Sequence, residues 1–510
     1  MGLILKYKKE ILIFLGIVIL YFVSRLILLG NFPIFTDEAI YVRWAQIAAH
    51  DASWRFISLT DGKQPLFIWA AMPLLKFIQD PLTAVRLVSV FSGFFTLIGL
   101  CFLTYELFKS RMVSLLSAFL YVVFPFAVVY DRMALYDSTV GTFAVWALYF
   151  SIQLARRIRL DVAYTLGFVL AGGLLTKSSA IFSIYLLPLT LLLFNFKKSK
   201  KWDLVRWGLL ALFSVIAAEI FFNSLRLSPF FHIITEKNAT FVYPVSEWVS
   251  HPFTFLFGNL EGLSNWLFTY LTPFYLFLIV VSFAGKKFIK EKLLLVLYFV
   301  LPFLALALFG KVIFPRFIFF MSIYLLPLAS LGLHDLISWL NKFMRERKLS
   351  TPYVVSALII VLFILYPAKV SLDFIFNPDV AQIADADQRQ YITEWPAGGG
   401  VKESIAYFEN QAKTQKIFVG TEGTFGLMPA GLDIYLGDNP NIKTKGYWPL
   451  EDKMPLELID MASVMPTYFI FYQPCPSCKF SGDAPDSWPL TLINQLRKGD
   501  NVYYSVYRVN

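Results

Sequence analysis

The feature that most constrains this chain is a series of long apolar segments that carry few charges. About 20 mostly apolar residues are needed for a helix to cross a bilayer. Hydrophobic residues make up 57% of the 510 residues and 52 of them are Phe, whereas a typical globular chain is about half apolar. The sequence therefore predicts a polytopic α-helical membrane protein with about 11 transmembrane helices: 10–30, 81–107, 112–130, 138–155, 162–176, 180–196, 202–222, 266–283, 291–309, 316–334 and 352–371.

Two places leave the number of spans open. Segments 162–176 and 180–196 are short and flank Lys177, so they are either two spans or one broken hairpin. Segment 65–78 is shorter still and is interrupted by Pro65 and Pro73. We expect it to be a juxtamembrane or re-entrant helix.

The distribution of Lys and Arg predicts the orientation, because short cytoplasmic loops carry an excess of both. With a cytoplasmic N-terminus, the inner segments hold 21 Lys and Arg residues, about twice as many as the longer outer segments. The expected topology is therefore N-terminus in and C-terminus out. The net charge of +10 is explained by these inner loops, so no nucleic-acid partner is expected. The inner segments are 1–9, 108–111, 156–161, 197–206, 284–292 and 341–349.

Two outer regions, 31–64 and 223–265, are much longer than ordinary connections. Beyond residue 371 the composition becomes that of a soluble domain. We therefore expect a transmembrane domain over 1–371 and an extracytoplasmic α/β domain over 372–510. In the second domain, the patterns predict helices at 381–395 and 401–413 and strands at 416–420, 467–472 and 502–507.

Cysteine and histidine give little sign of a metal site. Cys475 and Cys478 form a single CxxC, which is weak evidence for a metal without a second pair or histidines. A local disulfide, or no function, is the simpler reading. The four histidines show no ligand spacing. We therefore expect no obligatory cofactor, while a divalent metal stays possible.

Charged residues gather at the predicted outer ends of the spans, where burying them near the membrane is costly. Taken singly, each could simply reach to water and mark the end of a helix. Together they mix carboxylates with cations at several separate spans, as a site for an anionic substrate requires. These residues are Asp37, Glu38, Lys63, Asp131, Arg132, Asp137, Lys177, Lys311 and Arg316.

Five short elements resemble a known family over about residues 10–335. The family is the polyprenyl-phosphate-sugar glycosyltransferases of the C-type (GT-C) membrane fold, which include protein O-mannosyltransferases and lipid A aminoarabinose transferases. Gln64 stands where the family has its first proline, and Phe317 where it often has Tyr. The elements are Thr36-Asp37-Glu38-Ala39, Lys63-Gln64-Pro65-Leu66, the run 131–137 from Asp131 to Asp137, Gly173-Leu174-Leu175-Thr176-Lys177, and Pro315-Arg316-Phe317 with Pro327 after it.

The resemblance implies transfer of one sugar from a polyprenyl monophosphate to an acceptor hydroxyl, with inversion, on the outer face of the cytoplasmic membrane. Asp37 is the implied general base, and Glu38 would orient it or share its proton. Asp137 would hold sugar hydroxyls or the acceptor. The leaving phosphate needs positive charge, which Lys63, Arg132, Lys177 and Arg316 can supply. The expected partners are the lipid donor, surrounding membrane lipids and an acceptor that is a protein, a glycan or a lipid.

Two other functions fit part of the pattern. A secondary transporter of an anionic substrate also has many spans, but its charges should lie near the bilayer midplane. An oligosaccharide transferase or ligase would take a whole glycan from a lipid pyrophosphate. The Trp-Trp-Asp signature expected of such an enzyme is absent from the sequence.

Overall fold

The structure is a computed structural model that describes residues 7–197, 200–347, 352–472, 484–500 and 502–510. Cys475 and Cys478 lie outside the described residues. The chain forms two compact units, and the division into domains at residue 371 stays a prediction. The first consists of Met1–Ile27, Phe56–Phe67 and Leu87–Ala384, and the second of Leu28–Arg55, Ile68–Arg86 and Asp385–Asn510. Part of the first outer region therefore belongs with the C-terminal region.

Most of the described chain is helical. In chain order, the helices are α1 (Lys8–Leu26), α2 (Thr36–His50), α3 (Leu66–Leu74), α4 (Pro81–Phe108), α5 (Arg111–Val123), α6 (Pro125–Asp131), α7 (Tyr136–Arg157), α8 (Leu160–Leu174), α9 (Phe182–Tyr185), α10 (Lys201–Asn223), α11 (Ile233–Phe241), α12 (Val245–Ser250), α13 (Leu256–Ser282), α14 (Ile289–Phe309), α15 (Arg316–Ser322), α16 (Leu326–Glu346), α17 (Pro352–Phe376), α18 (Asp385–Gln388), α19 (Val401–Gln411), α20 (Ala430–Leu436) and α21 (Leu456–Val464). Short 3₁₀ turns lie at Ala52–Trp54, Ile57–Asp61, Ser178–Ile181, Leu187–Leu193, Ser224–Leu227, Ile323–Leu325 and Pro378–Val380, and one π-helical turn at Arg389–Thr393.

The lengths of these helices confirm a polytopic membrane protein. Among the described residues, 7 helices are long and apolar enough to span a membrane, or up to 8 if α5 and α6, bent by 62°, form one broken span. Leu160–Leu174 and Ser178–Leu193 are shorter apolar helices, and both alternatives around Lys177, two spans or one broken hairpin, stay predictions. The 9-residue helix α3 is too short to cross. The count of eleven spans and the orientation remain predictions.

Small residues let α8 and α10 pack closely in the first unit. A Cβ on Gly167 of α8 would lie 3.2 Å from the Ser214 carbonyl oxygen of α10. The Ser214 hydroxyl donates to the Ala163 carbonyl at 2.8 Å. Leu166 and Leu170 on the same helix are buried against Trp207, so this helix pair shares one apolar core.

The second unit contains a mixed sheet with the strand order β2-β1-β3-β5-β4 in the described residues. Strands β1 (Ile417–Glu422), β2 (Ile442–Tyr447) and β3 (Thr467–Phe471) are parallel, and β4 (Leu490–Gly499) and β5 (Val502–Val509) add to β3 as an antiparallel pair. These elements confirm the α/β prediction for the C-terminal region. The three predicted strands correspond to β1, β3 and β5, whereas β2 and β4 were not predicted.

Helix α2 packs within this second unit, although its sequence lies near the N-terminus. The Gln46 side-chain amide donates to the Ile434 carbonyl at 2.8 Å. The rings of Trp44 and Phe425 lie 6.4 Å apart. This packing holds the helix that begins at the acidic pair against the segments around β1.

Candidate functional site

The two acidic residues lie in the first turn of α2 but have different surroundings. Asp37 is half-buried, whereas Glu38 is fully buried. Carboxylates are favourable in the first turn of a helix, where backbone N–H groups point outward. Of the two, only Asp37 retains exposed surface from which to meet a substrate.

Glu38 forms a buried ion pair with Arg86 near the start of α4. The Arg86 Nε donates to Oε1 at 2.8 Å and Nη2 donates to Oε2 at 2.7 Å. The remaining N–H groups donate to the carbonyls of Leu29, Phe32 and Pro33 at 2.7–3.1 Å. Arg86 thus uses all five of its donors to tie Glu38 to the segment that leads into α2.

Glu38 also stabilises the beginning of its own helix. Its Oε2 accepts the Phe35 backbone N–H at 3.0 Å, which is the N3-to-N-cap contact of a capping box. These contacts fix Glu38 at the start of α2, and its predicted role of orienting Asp37 or sharing its proton stays a prediction.

A second segment pairs with the residues before Asp37. The Thr36 backbone N–H donates to the Pro396 carbonyl at 3.0 Å, and the Gly398 N–H donates to the Ile34 carbonyl at 2.7 Å. A Cβ at Gly398 would lie 2.4 Å from the Ile34 oxygen, so this close approach requires glycine. We call residues 394–398 the bracing segment.

In the first unit, Lys177 and Arg316 lie near one aromatic ring, and Asp137 pairs with Lys177. Lys177 Nζ donates to Asp137 Oδ1 at 2.7 Å and lies 4.9 Å from the centre of the Phe317 ring. Arg316 Cζ lies 6.0 Å from the same centre. We call Asp137, Lys177 and Arg316 the basic cluster, since it consists of two cations and the carboxylate that pairs with one of them.

The predicted phosphate ligand Lys63 belongs to a neighbouring segment of the same unit. Its Nζ is 3.8 Å from Asp61 Oδ2, while Lys237 of α11 donates to Asp61 Oδ1 at 2.6 Å. The side chain of Gln64, the family departure, is buried and donates to the Ser178 hydroxyl at 2.8 Å. Gln64 thus ties the segment that carries Lys63 to the residue after Lys177.

Arg132 occupies a different environment from the other predicted phosphate ligands. It is only 3% exposed, and its Nη1 donates to the carbonyls of Ser24 and Arg25 near the end of α1, both at 2.9 Å. Beside it, Asp131 is buried against Arg25, with Nε to Oδ2 at 3.3 Å. These contacts bind the end of α1 to the end of α6, and the phosphate-binding role of Arg132 stays a prediction.

Sequence reasoning missed Arg25 and Arg86. Each is a fully buried arginine paired with a fully buried carboxylate. The signal in the sequence was an arginine near one end of each of two apolar segments: Arg25 lies in the last turn of α1 and Arg86 in the first turns of α4. A charge at such a position needs a partner. The sequence does not identify the partner of either arginine, because the partners are far apart in the chain: Arg86 and Glu38 are separated by 48 positions.

Each unit offers one kind of group: the second a carboxylate and the first anion-binding cations. Asp37 has the chemistry of a general base, and Lys177 and Arg316 have that of a phosphate site. Over the described ranges, no group of three or more His, Cys, Asp and Glu side chains could hold a metal ion.

A family model described as dolichyl-phosphate-mannose-protein mannosyltransferase matches residues 62–219. That range includes Lys63, Arg132, Asp137 and Lys177. No curated protein matches the chain significantly by sequence.

Solved structures match over most of the chain at low identity. ArnT from Cupriavidus metallidurans in the apo state has a TM-score of 0.54 and 13% identity, with 98% of this chain and 97% of ArnT covered. The structure of ArnT bound to undecaprenyl phosphate has a TM-score of 0.52 and 13% identity, with 98% of both chains covered. A third match is the oligosaccharyltransferase AglB from Archaeoglobus fulgidus, in complex with an inhibitory peptide and a dolichol-phosphate. It has a TM-score of 0.53 and 13% identity, with 84% of this chain and 64% of AglB covered. At these identities the structural matches establish the fold.

The family-model match and the shared fold confirm the resemblance found in the sequence motifs. They agree with a multi-pass membrane architecture and with a small C-terminal sheet. The chain shares the fold of ArnT and AglB, and its residues 62–219 match the model of the dolichyl-phosphate-mannose-protein mannosyltransferase family.

Proposed function

We propose that the protein transfers a single sugar from a polyprenyl monophosphate to an acceptor hydroxyl, on the extracytoplasmic face of the cytoplasmic membrane. The basic cluster carries this proposal, because Lys177 and Arg316 approach one ring while Asp137 holds the lysine in place. The ArnT structure bound to undecaprenyl phosphate and the AglB complex with a dolichol-phosphate support a lipid phosphate as the donor group.

The reaction needs one base and one site for the leaving group. The acceptor oxygen attacks the anomeric carbon, its proton passes to the Asp37 carboxylate, and the bond from the anomeric carbon to the phosphate oxygen breaks. The electron pair of that bond stays with the polyprenyl phosphate. A single displacement of this kind inverts the anomeric configuration.

The cations act on the leaving phosphate. Fixed positive charge stabilises the charge that develops as the bond breaks, and the planar guanidinium of Arg316 suits two-point contact with phosphate. Lys63 adds a further cation at its own segment. Asp137 holds the Lys177 ammonium at 2.7 Å and is the proposed partner of a sugar hydroxyl or of the acceptor. The acceptor is a protein, a glycan or a lipid hydroxyl.

Replacing Lys177 by Met is expected to lower kcat/KM for the lipid donor roughly 10- to 100-fold. A hydrogen bond to a charged group contributes about 1.5–3 kcal/mol, and each 1.36 kcal/mol is about tenfold in rate. Release of polyprenyl phosphate, measured over a range of donor concentrations, reports this loss.

A matched control is Lys369→Met, which removes a lysine from an ion pair of the same unit. Lys369 donates to Asp373 at 2.6 Å, but its side chain is 60% exposed, so the pair contributes little. Donor kinetics near those of the unmodified enzyme are expected for Lys369→Met. Equal kinetics in both variants would contradict a phosphate role for Lys177.

A further inference from the structure

Lys498, near the end of β4, supports the bracing segment from the C-terminal sheet. Its Nζ donates to the carbonyls of Ala397, Glu394 and Trp395 at 2.9, 3.2 and 3.4 Å. Three backbone carbonyls therefore converge on one amine. An ammonium group has three N–H donors, one for each of these acceptors.

The same segment contacts the residues that precede Asp37. Pro396 lies between the carbonyls that bind Lys498, and its own carbonyl accepts both the backbone N–H and the side-chain hydroxyl of Thr36 at 3.0 Å. Phe35 forms a β-bridge with Ala397. One amine thus lies two hydrogen bonds away from the backbone of the first turn of α2.

We propose that Lys498 is a positioning residue for Asp37: its ammonium form holds the bracing segment in the conformation that places the first turn of α2. This inference rests on the proposed function, in which Asp37 is the base. A neutral amine has two N–H donors and a lone pair, so one of the three carbonyls would face a lone pair. Loss of the proton then loosens the bracing segment and displaces Asp37.

Burial lowers the pKa of the Lys498 ammonium from its ordinary value to about 7. Two ion pairs lie on or beside the elements that surround Lys498. Arg389 pairs with Glu394 at 3.6 Å, and Arg497 pairs with Asp500 at 2.8 Å. The other titratable groups on these elements are Tyr503, Tyr504, Tyr507 and Arg508 on β5, Tyr391 on the π-helical turn, and Lys402, Glu403, Tyr407 and Glu409 on α19.

Because of this pKa, activity and stability are expected to change in opposite directions as the pH rises through 7. Below about pH 7 Lys498 is charged and the bracing segment is held, so kcat is high; above it the amine is neutral and kcat falls. In the unfolded chain a lysine has a pKa of about 10.4, so between these values the unfolded state binds more protons than the folded state. The contribution of Lys498 to stability therefore rises with pH over the window in which activity falls.

The test measures kcat of the purified full chain between pH 5.5 and 9.5, with the polyprenyl-phosphate sugar that the unmodified enzyme turns over. For Lys498→Met, which keeps the length and removes the donors, we expect kcat to fall roughly 10- to 100-fold, because small displacements of a reacting group cost this much. In the unmodified enzyme kcat should fall above about pH 7, and we call this fall the alkaline limb of the pH profile. We expect the alkaline limb to be absent in Lys498→Met. Lys498→Arg should retain most of kcat and move the limb upward by more than one pH unit, because arginine stays charged.

Hydrogen exchange gives a readout that does not depend on turnover. In Lys498→Met, the amide protons of Thr36 and Gly398 should exchange faster than in the unmodified chain at pH 6. The control is Arg497→Met, which removes an exposed cation from the same strand and should change neither exchange nor the pH profile.

The outcomes separate the two proposals. No turnover with any polyprenyl-phosphate sugar would overturn the proposed function, while the exchange experiment would still test the bracing role. Turnover with an unchanged alkaline limb in both Lys498 variants, or unchanged exchange at Thr36 and Gly398 in Lys498→Met, would overturn the role of Lys498 alone.

Discussion

Asp37→Asn is expected to lower kcat by roughly 10²- to 10⁴-fold, the usual contribution of general acid–base catalysis. The amide keeps the size of the side chain but cannot accept the proton of the acceptor hydroxyl at neutral pH. Asp37 is half-buried at the start of α2, so the change should leave the fold and the melting temperature nearly unaffected. Donor binding should also persist, because the proposed phosphate ligands are unchanged.

Asp51→Asn provides the same chemical change at the other end of α2. Asp51 is exposed, and its Oδ1 accepts from the Ser53 backbone N–H and hydroxyl at 2.9 and 2.7 Å. Sugar transfer by this variant should match that of the unmodified enzyme. Full activity in Asp37→Asn would remove Asp37 from the mechanism.

Glu38→Leu is expected to destabilise the second unit by about 3–5 kcal/mol, the usual cost of removing one partner of a buried ion pair. Both side chains are 0% exposed, so Arg86 would be left as a buried charge without its carboxylate. The yield of folded protein and its melting temperature measure the effect. Activity should be lost together with folding.

The double variant Glu38→Leu with Arg86→Met distinguishes positioning from catalysis. Replacing both partners of a buried pair by apolar residues is often neutral or stabilising, so the melting temperature should recover and some sugar transfer should return. Glu457→Gln is the control, because Glu457 pairs with Lys445 at the surface of the same unit and should have little effect. A folded but inactive Glu38→Leu variant would instead assign Glu38 a direct chemical role.

The helical part of the fold was largely predictable, because long apolar segments have few alternatives to crossing a membrane. The strands β1, β3 and β5 were also predictable, since β1 and β3 are buried along their whole length and read as apolar runs. The edge strand β4 is mostly exposed, and the edge strand β2 is largely half-buried. Their sequences carry polar residues without a strict alternation, so no strand pattern marks them.

The grouping of α2 with the C-terminal sheet was not predictable from local patterns. It depends on hydrogen bonds such as Thr36 to Pro396, which join positions 360 residues apart. Periodicity and charge counting describe one segment at a time, so they assign the first outer region to the membrane domain. Long-range pairing of this kind becomes visible only in three dimensions.

The candidate site was predictable in its charged residues but not in their partners. The motifs pointed to Asp37, Asp137 and Lys177, and the structure pairs the latter two at 2.7 Å. The sequence predicted that Glu38 orients Asp37 or shares its proton. The different surroundings of the two carboxylates follow from Arg86, which no motif indicated, and from burial, which adjacent positions on a helix do not share.

The most direct test of the central claim is to incubate the purified full-length protein with a panel of polyprenyl-monophosphate and polyprenyl-pyrophosphate sugars. Mass spectrometry would identify the released lipid and the modified acceptor, and NMR the anomeric configuration of the product. We predict release of polyprenyl monophosphate with inversion, dependent on Asp37. Turnover of pyrophosphate donors alone, or no turnover of any donor, would contradict the account.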